Sequence, residues 1–201
     1  GASVLLVARE EETLAAAAAG LQDSGGQATA MVADVTVEGA ADDIVAGALS
    51  EFGRLDILVN NAGVFVWKKL FELDYADWSR TIDTNLGAPF HMTRIAGKTM
   101  ADQGAGGSIV NIASIHGQVG DPNVVAHCAS KFGLVGLTKA SADALREHEI
   151  RVNAIAPGVI DSNSLDRWGA GPNQKVTQAD IASLAVYLVS DYSKSVTGSV
   201  I

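Results

Sequence analysis

The sequence predicts an α/β fold: a parallel sheet with helices on both faces, in three layers. Two observations carry that expectation. Short β-branched or apolar runs recur at residues 4–8, 29–33, 55–60, 109–113 and 152–156, and helix-like stretches separate them. Strands alternating with helices mean βαβ units, whose strands are buried on both faces. The right-handed crossover rule then narrows the topology to a doubly wound sheet. No repeat or low-complexity linker divides the 201 residues, so one domain over 1–201 with a sizeable core is expected.

Composition excludes several function classes. A net charge of −9 with no basic cluster argues against a nucleic-acid surface. The single cysteine, Cys128, excludes an intramolecular disulfide and suits a reducing compartment. The four histidines are scattered, without metal-ligand spacing. No stretch approaches the ~18 apolar residues of a membrane span, and no signal-peptide pattern is present. A cytoplasmic protein without metal or membrane partner is the expectation.

The first run ends at Ala8-Arg9. In a dinucleotide-binding sheet an acid at this place bonds the ribose 2′-hydroxyl, whereas arginine suits a 2′-phosphate. A solvated arginine opening the charge run Arg9-Glu10-Glu11-Glu12 is the alternative. The second run leads into Asp34-Val35-Thr36. Asp34 suits a helix cap or an adenine amino group, with Val35 packed on the ring. Thr36 is the better cap for a helix running to about Phe52.

The third run passes straight into Asn60-Asn61-Ala62-Gly63. Asparagine at a strand end can bridge neighbouring strands, while Ala62 and Gly63 let a ligand approach the main chain. A plain turn is the competing reading. A helix pattern then starts near Asp74, with Trp78, Ile82 and Leu86 on one stripe. Pro89 lies inside it and lacks an N–H, which frees the carbonyl of Asn85 to hold a water or simply kinks the helix.

The fourth run leads to Ser114, and a helix with a start signal at Pro122-Asn123 carries His127-Cys128-Ala129-Ser130-Lys131. Positions four apart share a helix face, so His127 and Lys131 point the same way and Ser114 meets them from the strand end. A hydroxyl, an ionisable ring and an ammonium converging there make a proton-transfer site. The fifth run breaks at Pro157-Gly158, where the turn can cover one side of a cofactor with Val159, Ile160 and Ser162 as its lip. Residues 163–176 read as a lid or substrate loop, or as a connector. Thr177 with Asp180 forms a capping-box start for a final helix to about Val189. Residues 196–198 turn toward a last short strand.

In this order and spacing, Asp34-Val35, Asn60-Asn61-Ala62-Gly63, Asn85, Ser114, the pentad ending in Lys131, Pro157-Gly158 and Val196-Thr197-Gly198 resemble the short-chain dehydrogenase/reductase family, over nearly the whole chain. The resemblance implies a Rossmann-like sheet holding NAD or NADP. It implies hydride transfer between the nicotinamide and a small-molecule carbonyl or alcohol, and a homodimer or homotetramer. Ser114 would orient the substrate oxygen, Lys131 would bind the nicotinamide ribose, and Asn85 would hold a relay water. The Asn60 stretch would serve the adenosine side and central strand, and Pro157, Gly158, Val159 and Ser162 the nicotinamide side. Inside that fold Arg9 favours NADP over NAD.

Two departures accompany the resemblance. The pentad begins with His127 where the family has a tyrosine, the usual proton donor. Imidazole is shorter than phenol, and a nearby ammonium disfavours its protonated form. A misplacement of ~1 Å can cost about a hundredfold in rate. Impaired carbonyl chemistry is therefore expected, with a non-catalytic nucleotide-binding or oligomerising relative as the alternative. The family's opening strand and glycine-rich turn, whose helix holds the pyrophosphate, also have no match here. A missing first strand-helix unit, and hence a truncated chain, is the expectation.

Overall fold

The computed structural model describes residues 1–160 and 175–201. Its strands run parallel. β1 (Ser3–Ala8) pairs with β2 (Gln27–Val32), while β3 (Ile57–Asn60), β4 (Gly107–Ile112) and β5 (Ile150–Ile155) form a second ladder in that order. All five fall on the apolar runs of the sequence. Among the described residues, β1 and β3 each have one edge with no ladder partner. The short strands β6 (Val159–Ile160) and β7 (Lys175–Val176) pair separately. The expected last strand is a single bridge from Val200 to Ala154 on β5.

Six α-helices connect the described strands: α1 (Glu11–Asp23), α2 (Ala40–Phe52), α3 (Tyr75–Ile82), α4 (Ala88–Gln103), α5 (Val125–Ala144) and α6 (Gln178–Val189). One apolar core joins the two ladders. Ile44 and Val45 of α2, Met100 of α4, Ile109 of β4 and Val152 of β5 cluster together, with Leu5 and Val7 of β1 against them. A smaller cluster of Val110, Ile155 and Leu188 fixes α6 on the opposite face. Burial on both faces is why β4 reads as a continuous apolar run.

Local chemistry explains where the elements start, and three expectations need correction. Thr177 and Asp180 make the reciprocal capping box expected for α6, and Asp74 caps α3 by accepting from the Asp77 N–H. Thr36, however, does not cap α2. The helix starts after Gly39, whose φ of 86° suits a residue without a side chain. The Asp34 carboxylate instead accepts from the Thr36 N–H at 3.0 Å and its hydroxyl at 2.7 Å, in a local turn. The start of α5 comes later than Pro122-Asn123, at Val125. Ahead of Pro89 the chain does not simply kink: a π-helical turn over Asp83–Gly87 links α3 to α4. Such widened turns take up a backbone mismatch and recur at functional sites.

Candidate active site

Parallel strands place the loops after β3, β4 and β5 along one carboxyl edge, where open α/β sheets bind ligands. Asn60, Ser114, Pro157 and Gly158 all follow from that placement. The loop after β4 is tied to the loop after β5, since the Ile115 N–H donates to the Pro157 carbonyl at 2.9 Å. Ser114 caps a short 3₁₀ turn (Ile115–Gly117), and its hydroxyl accepts from the His116 N–H at 3.2 Å.

That turn lies directly on α5. A Cβ on Gly117 would sit 2.9 Å from the Lys131 carbonyl oxygen, so the approach depends on a missing side chain. Across the contact, the His116 and His127 rings meet edge to face, with centroids 5.8 Å apart and planes at 82°. The Phe65 ring also meets His127 edge to face, with centroids 4.9 Å apart. His127 is only 8% exposed, and its Nδ1 is buried with no hydrogen-bond partner. Such an atom costs on the order of 1–3 kcal/mol unless something else satisfies it.

Lys131 is likewise buried, and its Nζ donates to the Ile112 carbonyl at the end of β4, at 2.6 Å. Burial pushes this ammonium down to about 8. Burial also dominates at His127, with the Lys131 and His116 charges adding to it; together they push the imidazole down to about 4, against the pull of the Val64 carbonyl. At neutral pH the ring is therefore uncharged and the lysine mostly charged.

The π-helical turn supplies Asn85, which is fully buried. Its carboxamide grips both backbone groups of Val64, accepting from the N–H at 2.8 Å and donating to the carbonyl at 2.9 Å. It also donates to the Ser130 hydroxyl at 3.1 Å. That hydroxyl in turn donates to the His127 carbonyl at 2.8 Å. Asn85 thus fixes the loop after β3 against the helix that carries His127. Its side chain acts as a clamp, a role the proline argument did not anticipate.

Asn60 differs from its expected part as well. Rather than bridging strand backbones, its amide donates to Asn111 Oδ1 at 2.8 Å and to Thr93 Oγ1 at 3.3 Å. Asn111 continues the chain to Thr138 at 2.9 Å. This satisfied buried network joins β3, β4, α4 and α5. Ala62 and Gly63, just beyond it, are exposed.

At the far end, Arg9 follows β1 and lies 3.9 Å from the Asp34 carboxylate, both partly in solvent. Val35 packs on the core, and Val159 is half-buried beyond the exposed Gly158. Ser162, and nearly all of the loop 163–176, lie outside the described residues. The sequence reading passed over His116 and Phe65. A second histidine two positions beyond Ser114, and an aromatic directly after the Asn60–Val64 loop, were the available signals.

Comparison with known proteins agrees with this fold. A short chain dehydrogenase family model matches residues 1–173. A 3β-hydroxysteroid dehydrogenase of Mediterraneibacter gnavus is 38% identical, over 91% of this chain and 65% of that protein. The 3-oxoacyl-(acyl-carrier-protein) reductase FabG of Chlamydia muridarum is 34% identical, over 100% of this chain and 85% of its own length. A crystal structure of a short-chain type dehydrogenase/reductase from Mycobacterium marinum superposes with a TM-score of 0.94 at 32% identity, covering 100% of this chain and 84% of that one. The chain belongs to the short-chain dehydrogenase family.

Proposed function

We propose that this short-chain oxidoreductase moves a hydride between NADP(H) and a small-molecule carbonyl or alcohol, at a rate held down by the histidine in the proton donor's place. The observation that carries the reading is the cluster at the end of β4: a buried ammonium, a buried imidazole with an unpartnered nitrogen, and a serine hydroxyl on the adjoining turn. This donor set fits the nicotinamide and ribose end of a pyridine nucleotide. When bound, that group supplies or takes the hydride.

Each side chain has a distinct part. Lys131 would hold the ribose hydroxyls, and Ser114 would orient the reacting oxygen. His127 would give a proton to that oxygen or take one from it. Asn85 keeps the Val64 backbone against the ring and is the residue proposed to hold a relay water. Backbone at Ala62–Gly63 and Pro157–Gly158, with Val159 and Ser162, would line the cofactor. Asp34 and Val35 would meet the adenine, while Asn60 acts from inside the sheet. Arg9 supports NADP over NAD, because a guanidinium matches a 2′-phosphate. The pyrophosphate end is less complete: Gly20 lies within α1, and Gly25 and Gly26 follow it. Among the described residues no run of three closely spaced glycines leads from a strand into a helix.

The proton balance explains the restrained rate. A ring titrating near 4 carries a proton in only about one molecule in a thousand at pH 7. The relatives' names span a hydroxysteroid and an acyl-carrier-protein substrate, so family membership leaves the substrate open. A single nucleotide-binding domain in a cytoplasmic homodimer or homotetramer completes the reading. Among the described residues no helix is long and apolar enough to cross a membrane.

Fluorescence titration with NADPH and NADH tests it, with tighter NADPH binding expected. Preference for NADH would remove the Arg9 argument. A carbonyl-reduction screen comparing the natural chain with His127→Tyr should show a gain of about tenfold or more in the variant. If both bind nucleotide and neither reduces any carbonyl, the chain is a nucleotide-binding module.

A further inference from the structure

The imidazole of His127 has a neighbour that the family resemblance does not account for. His116 is equally buried, at 8% exposure, and projects from the turn that Ser114 caps. Its ring meets His127 edge to face. On its other side, Nε2 lies 3.8 Å from an Asp121 carboxylate oxygen. The second Asp121 oxygen is fixed by the Asn123 N–H at 2.8 Å and the Asn123 amide at 3.1 Å. The geometry is therefore a file of three groups, Asp121–His116–His127, running from a partly exposed carboxylate to a buried ring with an unpartnered Nδ1.

We propose that His116, tethered by Asp121, is the proton-exchange partner of His127, and that the two imidazoles share one proton and act as a unit. The proposal rests on the reading that His127 faces the substrate oxygen. When that oxygen takes a ring proton from His127, the His116 imidazolium gives one back to the His127 ring across the edge-to-face contact, and its N–H electron pair stays on His116. The file is recharged through Asp121 from solvent, and no electrons are exchanged along it. The hydride, and with it the reduction of the carbonyl carbon, comes from NADPH alone.

Electrostatics support sharing over independent titration. The charged groups facing this pair are Asp121 from the loop, and His127 and Lys131 from α5; the Cys128 thiol lies near the Asp121 carbonyl. The loop after β3 contributes the Val64 carbonyl and the Phe65 ring. Two buried imidazoles next to an ammonium cannot easily both be charged. Asp121 favours the proton on His116, opposing its burial, while His127 has Lys131 beside it.

The test is a histidine ¹⁵N NMR titration of the nucleotide-free protein, alongside His116→Gln and Asp121→Asn. Interacting sites titrate in two macroscopic steps that both rings report. Both steps are expected in the natural protein. In His116→Gln, His127 should titrate in one step, moved upward because a like charge is gone. In Asp121→Asn, His116 should move downward. A His127 curve that is single-step and identical in the natural protein and His116→Gln overturns the proposal. The activity arm uses the NADPH-bound protein: His116→Gln should lose roughly ten- to a hundredfold in kcat with KM little changed, and its acid-side activation should fall from the upper step of the pair to the single His127 step, which lies between the pair's two steps. An unchanged pH profile also overturns it. Failure of the protein to bind NADPH would sink the proposed function while leaving the NMR arm decisive for the pair.

Discussion

Lys131 is an expensive side chain to bury, and removing it should make the protein more stable. Its ammonium is pushed down to about 8 from an ordinary 10.5, by burial. A base depressed in the folded state binds fewer protons there than in the unfolded chain between those two values. Stability therefore rises as pH climbs from about 8 to about 10.5, and the deficit is complete below 8. At about 1.36 kcal/mol per unit, the shift corresponds to about 3 kcal/mol at pH 7. Lys131→Met keeps the length and apolar stem of the side chain but removes the charge. It also leaves the Ile112 carbonyl without the Nζ donor, at a cost on the order of 1–3 kcal/mol. The net gain at pH 7 is thus small, but the difference between variant and natural protein should change by about 3 kcal/mol between pH 7 and pH 10.5. Urea unfolding followed by tryptophan fluorescence reads this directly. A difference that stays constant across that range would refute the electrostatic reasoning. From the ribose-holding role proposed for Lys131, NADPH affinity should fall in the same variant.

Acid should act on His127 in the complementary way. Its folded value, about 4, lies below the ordinary 6.5, so stability is lost as pH falls from 6.5 toward 4, by up to about 3 kcal/mol; His127→Gln should be less acid-sensitive in the same unfolding assay. Gly117→Ala places a methyl 2.9 Å from the Lys131 carbonyl oxygen, forcing the Ser114 turn off α5; a loss of about 1–3 kcal/mol and weaker NADPH binding are expected by thermal unfolding and titration. Asn85→Ala should release the Val64 backbone from its clamp, leaving its half-buried N–H without that acceptor at a cost of about 1–2 kcal/mol, while the carbonyl keeps its contact with His127. Faster amide hydrogen exchange at Val64 would show the release.

Much of the fold was legible because parallel strands buried on both faces leave short, dense apolar runs. All five such runs became strands, and the Thr177–Asp180 box marked the start of α6. What escaped depended on backbone conformation or on distant contacts. Thr36 looked like a cap, yet Gly39 takes that place with a left-handed φ, and Asp34 turns its carboxylate onto Thr36 instead. Pro89 announced a disturbed helix, but nothing local distinguishes a kink from the π-helical turn that delivers Asn85 to Val64. In the site, helical spacing alone aligned His127 with Lys131. His116 could not be found that way, because its meeting with His127 depends on Gly117 letting one element close on another.

The central claim is that the imidazole, the ammonium and the serine turn gather where a nicotinamide binds. The four histidines offer a direct measurement: ¹⁵N chemical shifts of their rings as NADP is added. His127 and His116 should shift with saturation, while the exposed His91 and His148 stay in place. Shifts confined to His91 and His148, or none at saturating nucleotide, would contradict the account.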